Sequence, residues 1–184
     1  MVANLPNILT LTRIFLLPFF AASLIYSEYH YALGLFLVAS ITDLLDGYIA
    51  RITDQMTYFG RILDPVADKF FLITSFILMT AYGLMPKWLT IIVISKDAIV
   101  ITGSIILYFV TNRLTVEPSA WGKWASGCQF TLIGLELLVL NIQNGIAIPF
   151  ILHALVALLT AIAGIHYVHM GLKVANTEGG KNTE

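Results

Sequence analysis

Six apolar runs, each about as long as one membrane crossing, take up almost the whole chain. They cover residues 7–26, 31–52, 60–82, 88–110, 121–141 and 146–172. A spanning helix needs about 20 predominantly apolar residues, so each run is read as one transmembrane helix. The polar breaks between them are short, which makes consecutive helices antiparallel neighbours and leaves no stretch for a separate soluble domain. Composition agrees: 58% of residues are hydrophobic and 11% charged, where a soluble domain would carry roughly 25% charged residues. A formal net charge of -1 offers no global field for nucleic acid. The single cysteine, Cys128, has no internal disulfide partner and reads as packing.

Positive charge orients the bundle. Arg51, Arg61, Arg113, Lys123, Lys173 and Lys181 fall on one side of the six-span arrangement and Lys87 on the other, which predicts both termini in the cytoplasm. Trp121 and Trp124 then lie at the inner interface and Trp88 at the outer. Asn7, Thr10 and Arg13 recur every three residues on the first helix and give it a polar stripe, for which a discarded signal peptide would have no use. Pro18 falls in the middle of that helix and predicts a bend. The expected domain plan is one membrane domain over 1–175 and a polar, disordered tail over 176–184.

Against this apolar background the carboxylates stand out. Asp43, Asp46, Gly47, Ala50 and Arg51 follow one another by threes and fours, as do Gly60, Asp64 and Asp68, so each set lines one helix face. If the second helix descends to the cytoplasm near Arg51 and the third rises from Gly60, a rise of 1.5 Å per residue puts all four aspartates roughly 6–13 Å below the inner interface. Each ionised Asp at membrane depth costs at least about 2.5–3.5 kcal/mol, and four would repel one another. Two hard divalent cations such as Mg²⁺, Mn²⁺ or Ca²⁺ would neutralise them through oxygen ligands and suit in-line displacement at phosphorus. Gly47 and Gly60 leave room for a bulky ligand against the backbone. Two other readings compete at this point. The aspartates could merely pair with Arg51, Arg61 and Lys69, or they could mark an ion or proton pathway.

The segment DLLDGYIARITDQMTYFGRILDPVADK resembles the defining motif of the CDP-alcohol phosphatidyltransferases, D-x2-D-G-x2-A-R-x8-G-x3-D-x3-D, at all eight fixed positions. An ion pathway or a membrane scaffold would not require the A-R-x8-G part. The resemblance covers essentially the whole chain. It implies an all-α integral membrane fold of six transmembrane helices, a homodimer in the family's usual manner, and a cavity open to the cytoplasm of a bacterial inner membrane or its equivalent. It also implies roles. Asp43, Asp46, Asp64 and Asp68 would hold two Mg²⁺ or Mn²⁺ ions, with Asp68 also the general base. Gly47, Ala50, Arg51 and Gly60 would surround the cytidine nucleotide of a CDP-linked lipid, and CMP would leave.

PNILTLTRI and LGLFLVASITDLLDGYIAR resemble the branch that uses CDP-diacylglycerol with glycerol-containing acceptors. Phosphatidylglycerophosphate synthases of that branch carry Arg-Glu in the fourth span, a further Arg seven residues later, and Gly-Lys-x-Lys at the start of the fifth. Here those positions are Lys96, Asp97, Ser104, Lys123 and Ala125, so two of the basic residues are replaced by neutral ones. ISKD at 94–97 looks more like the ISRD of the cardiolipin synthases. A dianionic phosphate monoester needs more cationic donors than the singly charged diester of phosphatidylglycerol. Phosphatidylglycerol is therefore the leading acceptor and glycerol 3-phosphate the alternative. Arg13, Lys96 and Lys123 are the candidate phosphate contacts, with internal ion pairing as the alternative for each, and Asn7 and Thr10 line the nucleotide entrance or bond between helices. His166 and His169, three residues apart, suit interface anchoring, and His153 stands in an apolar run away from other metal-ligand residue types in the sequence. Glu136 is expected to reach the outer interface.

Overall fold

The computed structural model describes the backbone of residues 5–53, 58–111, 120–142 and 147–179, with side chains over 9–43, 66–106, 120–142 and 147–173. Six helices make up these segments: α1 (Leu5–Ile25), α2 (Tyr29–Thr53), α3 (Tyr58–Ala81), α4 (Lys87–Thr111), α5 (Ala120–Ile142) and α6 (Phe150–Gly179). There is no strand among the described residues. The helices match the six apolar runs to within a few residues, except at α6. That helix starts at Phe150 because Pro149 disfavours helix in the residue before it and suits a helix start. It also continues through Gly179, so the first residues of the polar tail are helical rather than disordered. Three stretches are long and apolar enough to cross a membrane among the described residues, Lys87–Ile106, Ala120–Ile142 and Phe150–Lys173, and Leu9–Ile25 is a shorter apolar helix.

Two helix ends show how the short breaks are made. After α1, Ser27 donates to the Leu24 carbonyl and Glu28 to that of Ser23, with Ser27 at φ 59°. After α3, Gly83 donates to Thr80 and Leu84 to Met79, with Gly83 at φ 73°. Both are Schellman closures, which satisfy the last helical carbonyls and turn the chain within a few residues.

The chain clusters into two compact units, and α5 contributes to both. The first comprises Met1–Met85 and Ile133–Ile148, the second Pro86–Leu132 and Pro149–Glu184. In the first unit α1 packs against α2 and α3. One phenylalanine from each helix meets at the centre: Phe20 lies 4.9 Å from Phe71 and 6.5 Å from Phe36, and Phe36 lies 6.1 Å from Phe71, centroid to centroid. The C-terminal part of α5 joins this core. Gly134 faces Phe36 so closely that a Cβ there would come within 3.0 Å of the ring, and Asn141 donates to the carbonyl of Tyr29 at 3.0 Å.

In the second unit α4 packs against α6, with Trp88 and Phe150 in ring contact at 5.6 Å. Gln129 of α5 donates to Thr160 Oγ1 of α6 at 2.8 Å, and Thr160 donates to the carbonyl of Val156. Hydroxyls inside the helices bond back to their own turn, as Ser40, Ser75 and Ser104 do to Phe36, Phe71 and Val100. That leaves no hydroxyl seeking water in these turns.

Polar and charged side chains are buried beside the apolar core, and large apolar side chains also cover the surface. Arg13, Lys96, Asp97, Gln129 and Glu136 are buried, while Phe15, Phe70, Ile91, Leu158 and Ile165 are exposed. Such a surface suits lipid and not water, and the chain is a membrane protein. Glu136, expected at the outer interface, is instead buried.

Candidate active site

An arginine inside an apolar helix must find an anion, and Arg13 finds two. Its Nη2 lies 2.9 Å from Asp43 Oδ1, and its Nη1 donates to Asp68 Oδ1. The three side chains come from α1, α2 and α3. Arg13 is 1% exposed, whereas Asp43 and Asp68 are 36% and 32% exposed. The guanidinium is thus sealed and the carboxylates keep an open side. A planar fork can serve two carboxylates at once, which an ammonium does less well.

The aromatic cluster explains why three helices converge here. Phe20 follows Arg13 by seven residues and Phe36 precedes Asp43 by seven. Both pairs lie on one helix face, separated by about 10 Å along the axis. Phe71 follows Asp68 by three residues, one turn away. Packing at the phenylalanine level therefore sets the lateral separation of the helices at the ionic level. Between α1 and α3 a cleft of about 270 Å³, lined by Leu17, Val66 and Phe70, reaches Arg13. Thr10, one turn before Arg13 on the same face, is buried.

Asp43 and Asp68, the first and last aspartates of the motif, are thus brought together as the helical spacing predicts. Asp46, Gly47, Ala50 and Arg51 on α2, Gly60 and Asp64 on α3, and Asn7 on α1 have side chains outside the described residues. Among the described residues no group of three or more His, Cys, Asp or Glu gathers. The two carboxylates supply oxygen atoms of the kind a hard cation takes, each partly exposed and each on its own helix. Arg13 holds them by internal pairing, the alternative to its leading reading as a phosphate contact, although these two aspartates were not named as its partners. Sequence reasoning set Arg51, Arg61 and Lys69 against the aspartates and placed Arg13 on a substrate phosphate. The missed signal was the isolation of Arg13 in an apolar run, where a buried guanidinium requires carboxylates.

In the second unit Lys96 and Asp97 are both buried, with Nζ 2.7 Å from Asp97 Oδ1. Ser104 is satisfied by its own helix at 2.7 Å, and Ala125 is fully buried. Lys123 is exposed beside the buried Gly122. A groove of about 540 Å³ between α4 and α6 is walled by Ile91, Ile99, Ala161, Ile165 and Val168, with Lys96 in its lining.

The family model of the CDP-alcohol phosphatidyltransferases matches residues 3–166. The chain belongs to this family. A probable phosphatidylglycerophosphate synthase of Mycobacterium tuberculosis is 34% identical over 179 residues, covering 94% of this chain and 83% of that protein. A CDP-diacylglycerol–glycerol-3-phosphate 3-phosphatidyltransferase of Haemophilus influenzae is also 34% identical, covering 91% of this chain and 92% of its own. A CMP-forming cardiolipin synthase of Rattus norvegicus is 31% identical over 97% of this chain, which spans 65% of that relative. The resemblance read from the eight motif positions is therefore correct. This CDP-alcohol phosphatidyltransferase is an enzyme of phospholipid synthesis, and relatives of both acceptor types resemble it to a similar degree.

Proposed function

We propose that this CDP-alcohol phosphatidyltransferase moves the phosphatidyl group of CDP-diacylglycerol onto phosphatidylglycerol, forming cardiolipin and releasing CMP. The observation that carries the transfer chemistry is the convergence of Asp43 and Asp68 on Arg13. It supports one acidic layer made by α2 and α3, which Asp46 and Asp64 complete by helical register. With Arg13 engaged, four ionised aspartates leave a net charge of minus three, and two divalent ions turn it to plus one, a sign suited to a pyrophosphate.

Asp43, Asp46, Asp64 and Asp68 hold these ions in our reading. Bound there, Mg²⁺ or Mn²⁺ would stabilise charge on the entering and leaving oxygens of an in-line displacement. Asp68 takes the proton of the acceptor hydroxyl as its oxygen bonds to the phosphatidyl phosphorus. The anhydride P–O bond breaks and its electron pair leaves with CMP. Arg13 keeps Asp43 and Asp68 in one layer, and Gly47, Ala50, Arg51 and Gly60 form the nucleotide's surroundings, with Asn7 and Thr10 beside them. Lys96 and Lys123 meet the acceptor's phosphate.

The acceptor assignment rests on the charge available at the described acceptor-pocket positions, where Lys96 is already partly neutralised by Asp97. Arg13 and Lys96 are both engaged by carboxylates, and the positions of Ser104 and Ala125 supply no charge. That arrangement fits a phosphodiester better than a dianionic monoester. The relatives named for glycerol 3-phosphate favour the second reading, in which that monoester is the acceptor. Six crossings with cytoplasmic termini, a cytoplasm-facing site, a homodimer and one membrane domain over 1–175 complete the proposal. The distribution of Arg and Lys supports the orientation.

The test is a liposome assay with CDP-diacylglycerol and Mg²⁺ or Mn²⁺, offering phosphatidylglycerol and glycerol 3-phosphate separately and reading product mass. Cardiolipin is the expected product. Phosphatidylglycerophosphate instead would transfer the assignment to the monoester, and an absence of metal-dependent CMP release with either acceptor would sink the reaction.

A further inference from the structure

Gly164 of α6 is buried against the side chain of Lys96 on α4. A Cβ built on Gly164 would come within 3.2 Å of Lys96 Cγ and 3.8 Å of its Cβ, so the absence of a side chain at 164 is what admits the lysine stem. We propose that Gly164 is a positioning residue for the acceptor: it sets where the Lys96 ammonium stands, and through it the affinity for the acceptor's phosphate. The inference rests on the reading of Lys96 as a phosphate contact.

Three observations leave the strain of an added methyl with the lysine. Lys96 is buried, and its ammonium is held at 2.7 Å by Asp97, so the stem is constrained at both ends. Thr160, one turn before Gly164, is bonded to Gln129 of α5 at 2.8 Å. Tyr167, nearly one turn after it, is pressed so closely on Gly122 that a Cβ there would come within 2.7 Å of the phenol oxygen. Helix α6 is thus tied to α5 on both sides of Gly164 and has little freedom to withdraw from α4. The added methyl must displace Lys96 by a few tenths of an ångström. Helix propensity by itself favours Ala over Gly in a helix interior, so this substitution carries no generic penalty that would mimic the effect.

The experiment compares Gly164→Ala with the wild-type chain in liposomes, measuring KM for phosphatidylglycerol and for CDP-diacylglycerol separately, together with thermal unfolding. The expected result is a rise of about threefold to tenfold in acceptor KM, consistent with the sensitivity of bound geometry to sub-ångström misplacement, and an unchanged KM for CDP-diacylglycerol. In a Lys96→Ala/Asp97→Ala background, which removes the stem without stranding a buried carboxylate, Gly164→Ala should add nothing. An unchanged acceptor KM for Gly164→Ala, or an equal rise for both substrates, overturns the inference. If Gly164→Ala fails to fold, the triple variant should fold, since the crowded stem is gone, and its failure would equally overturn the inference. A wild-type acceptor KM in the Lys96→Ala/Asp97→Ala enzyme would refute the reading of Lys96, and the inference with it. A raised acceptor KM in that enzyme, with none in Gly164→Ala, would refute the role of Gly164 alone.

Discussion

Replacing Arg13 by Met keeps the length and apolar stem of the side chain and deletes the guanidinium that joins Asp43 to Asp68. Breaking a buried ion pair by removing one partner costs about 3–5 kcal/mol. Here the removed partner is sealed but the two carboxylates are each about one third exposed, so water relieves part of the loss. We expect a net cost of about 2–3 kcal/mol, comparable to one or two charge-assisted hydrogen bonds. For a chain of this size that corresponds to a fall in Tm of about 5–10 °C. The cost should depend on divalent ions, because the deleted charge and a bound cation neutralise the same carboxylates. The assay is thermal unfolding of the purified chain in detergent, with EDTA and with Mg²⁺ or Mn²⁺. The gap between Arg13→Met and wild type should be largest in EDTA and shrink with either metal. Equal Tm values in EDTA would refute the claim that the guanidinium holds the acidic layer together, and a gap indifferent to divalent ions would refute the shared-site argument.

Asp68→Asn should lower CMP release at least about 100-fold, as loss of a general base does, while Tm changes little because the amide oxygen can still accept from Arg13; near-normal turnover would remove Asp68 from the chemistry. Phe71→Ala should destabilise by about 2–3 kcal/mol, less than the 3–5 of a water-soluble core because lipid is as apolar as the helix interface, with Phe71→Leu much milder; equal Tm values for the two would show that the aromatic cluster does not clamp the helices. Ser27→Gly should raise stability by about 1 kcal/mol, since Ser27 occupies the left-handed region at φ 59° and glycine removes the Cβ conflict there; an unchanged or lowered Tm would count against strain at that turn.

The helices were legible because hydrophobic run length is a strong signal and the runs end at polar or turn-forming breaks such as Ser27, Gly83 and Pro86, whereas Pro149, inside the sixth run, is where α6 begins late. Pro86 also shows why some boundaries were read well: α4 begins at the next residue, as a proline at a helix start allows. The far end of α6 was less legible, because once a long helix is packed its backbone bonds can carry it into polar sequence that has no apolar signal of its own. At the site, periodicity correctly predicted that Asp43 and Asp68 share a layer, since each spacing fixes a face and a depth. It could not choose among cations. Arg51, Arg61 and Lys69 lie near the aspartates in sequence, whereas Arg13 reaches them only because α1 packs against both α2 and α3. The burial of Lys96 against Gly164 is likewise a tertiary fact, for no local pattern couples residues 68 positions apart.

The pairing of Arg13 with two carboxylates also bears on how such a site survives in a membrane. In the proposed site, four ionised aspartates without compensation would oppose insertion of α2 and α3 and push the two helices apart. Metal ions cannot solve this alone, because oxygen donors must already be near one another before a cation can gather them. A guanidinium built into α1 supplies a permanent charge, present from synthesis, that draws one carboxylate from each helix into a common layer. It leaves about one third of each carboxylate exposed, as the proposed divalent site requires of its oxygen donors. The phenylalanine cluster supplies the other half of the requirement, since it fixes helix separation with apolar contacts that do not depend on any ion. Stability and ligand geometry are thereby divided between two levels of one helix trio, and α1 takes part in both through Phe20 and Arg13.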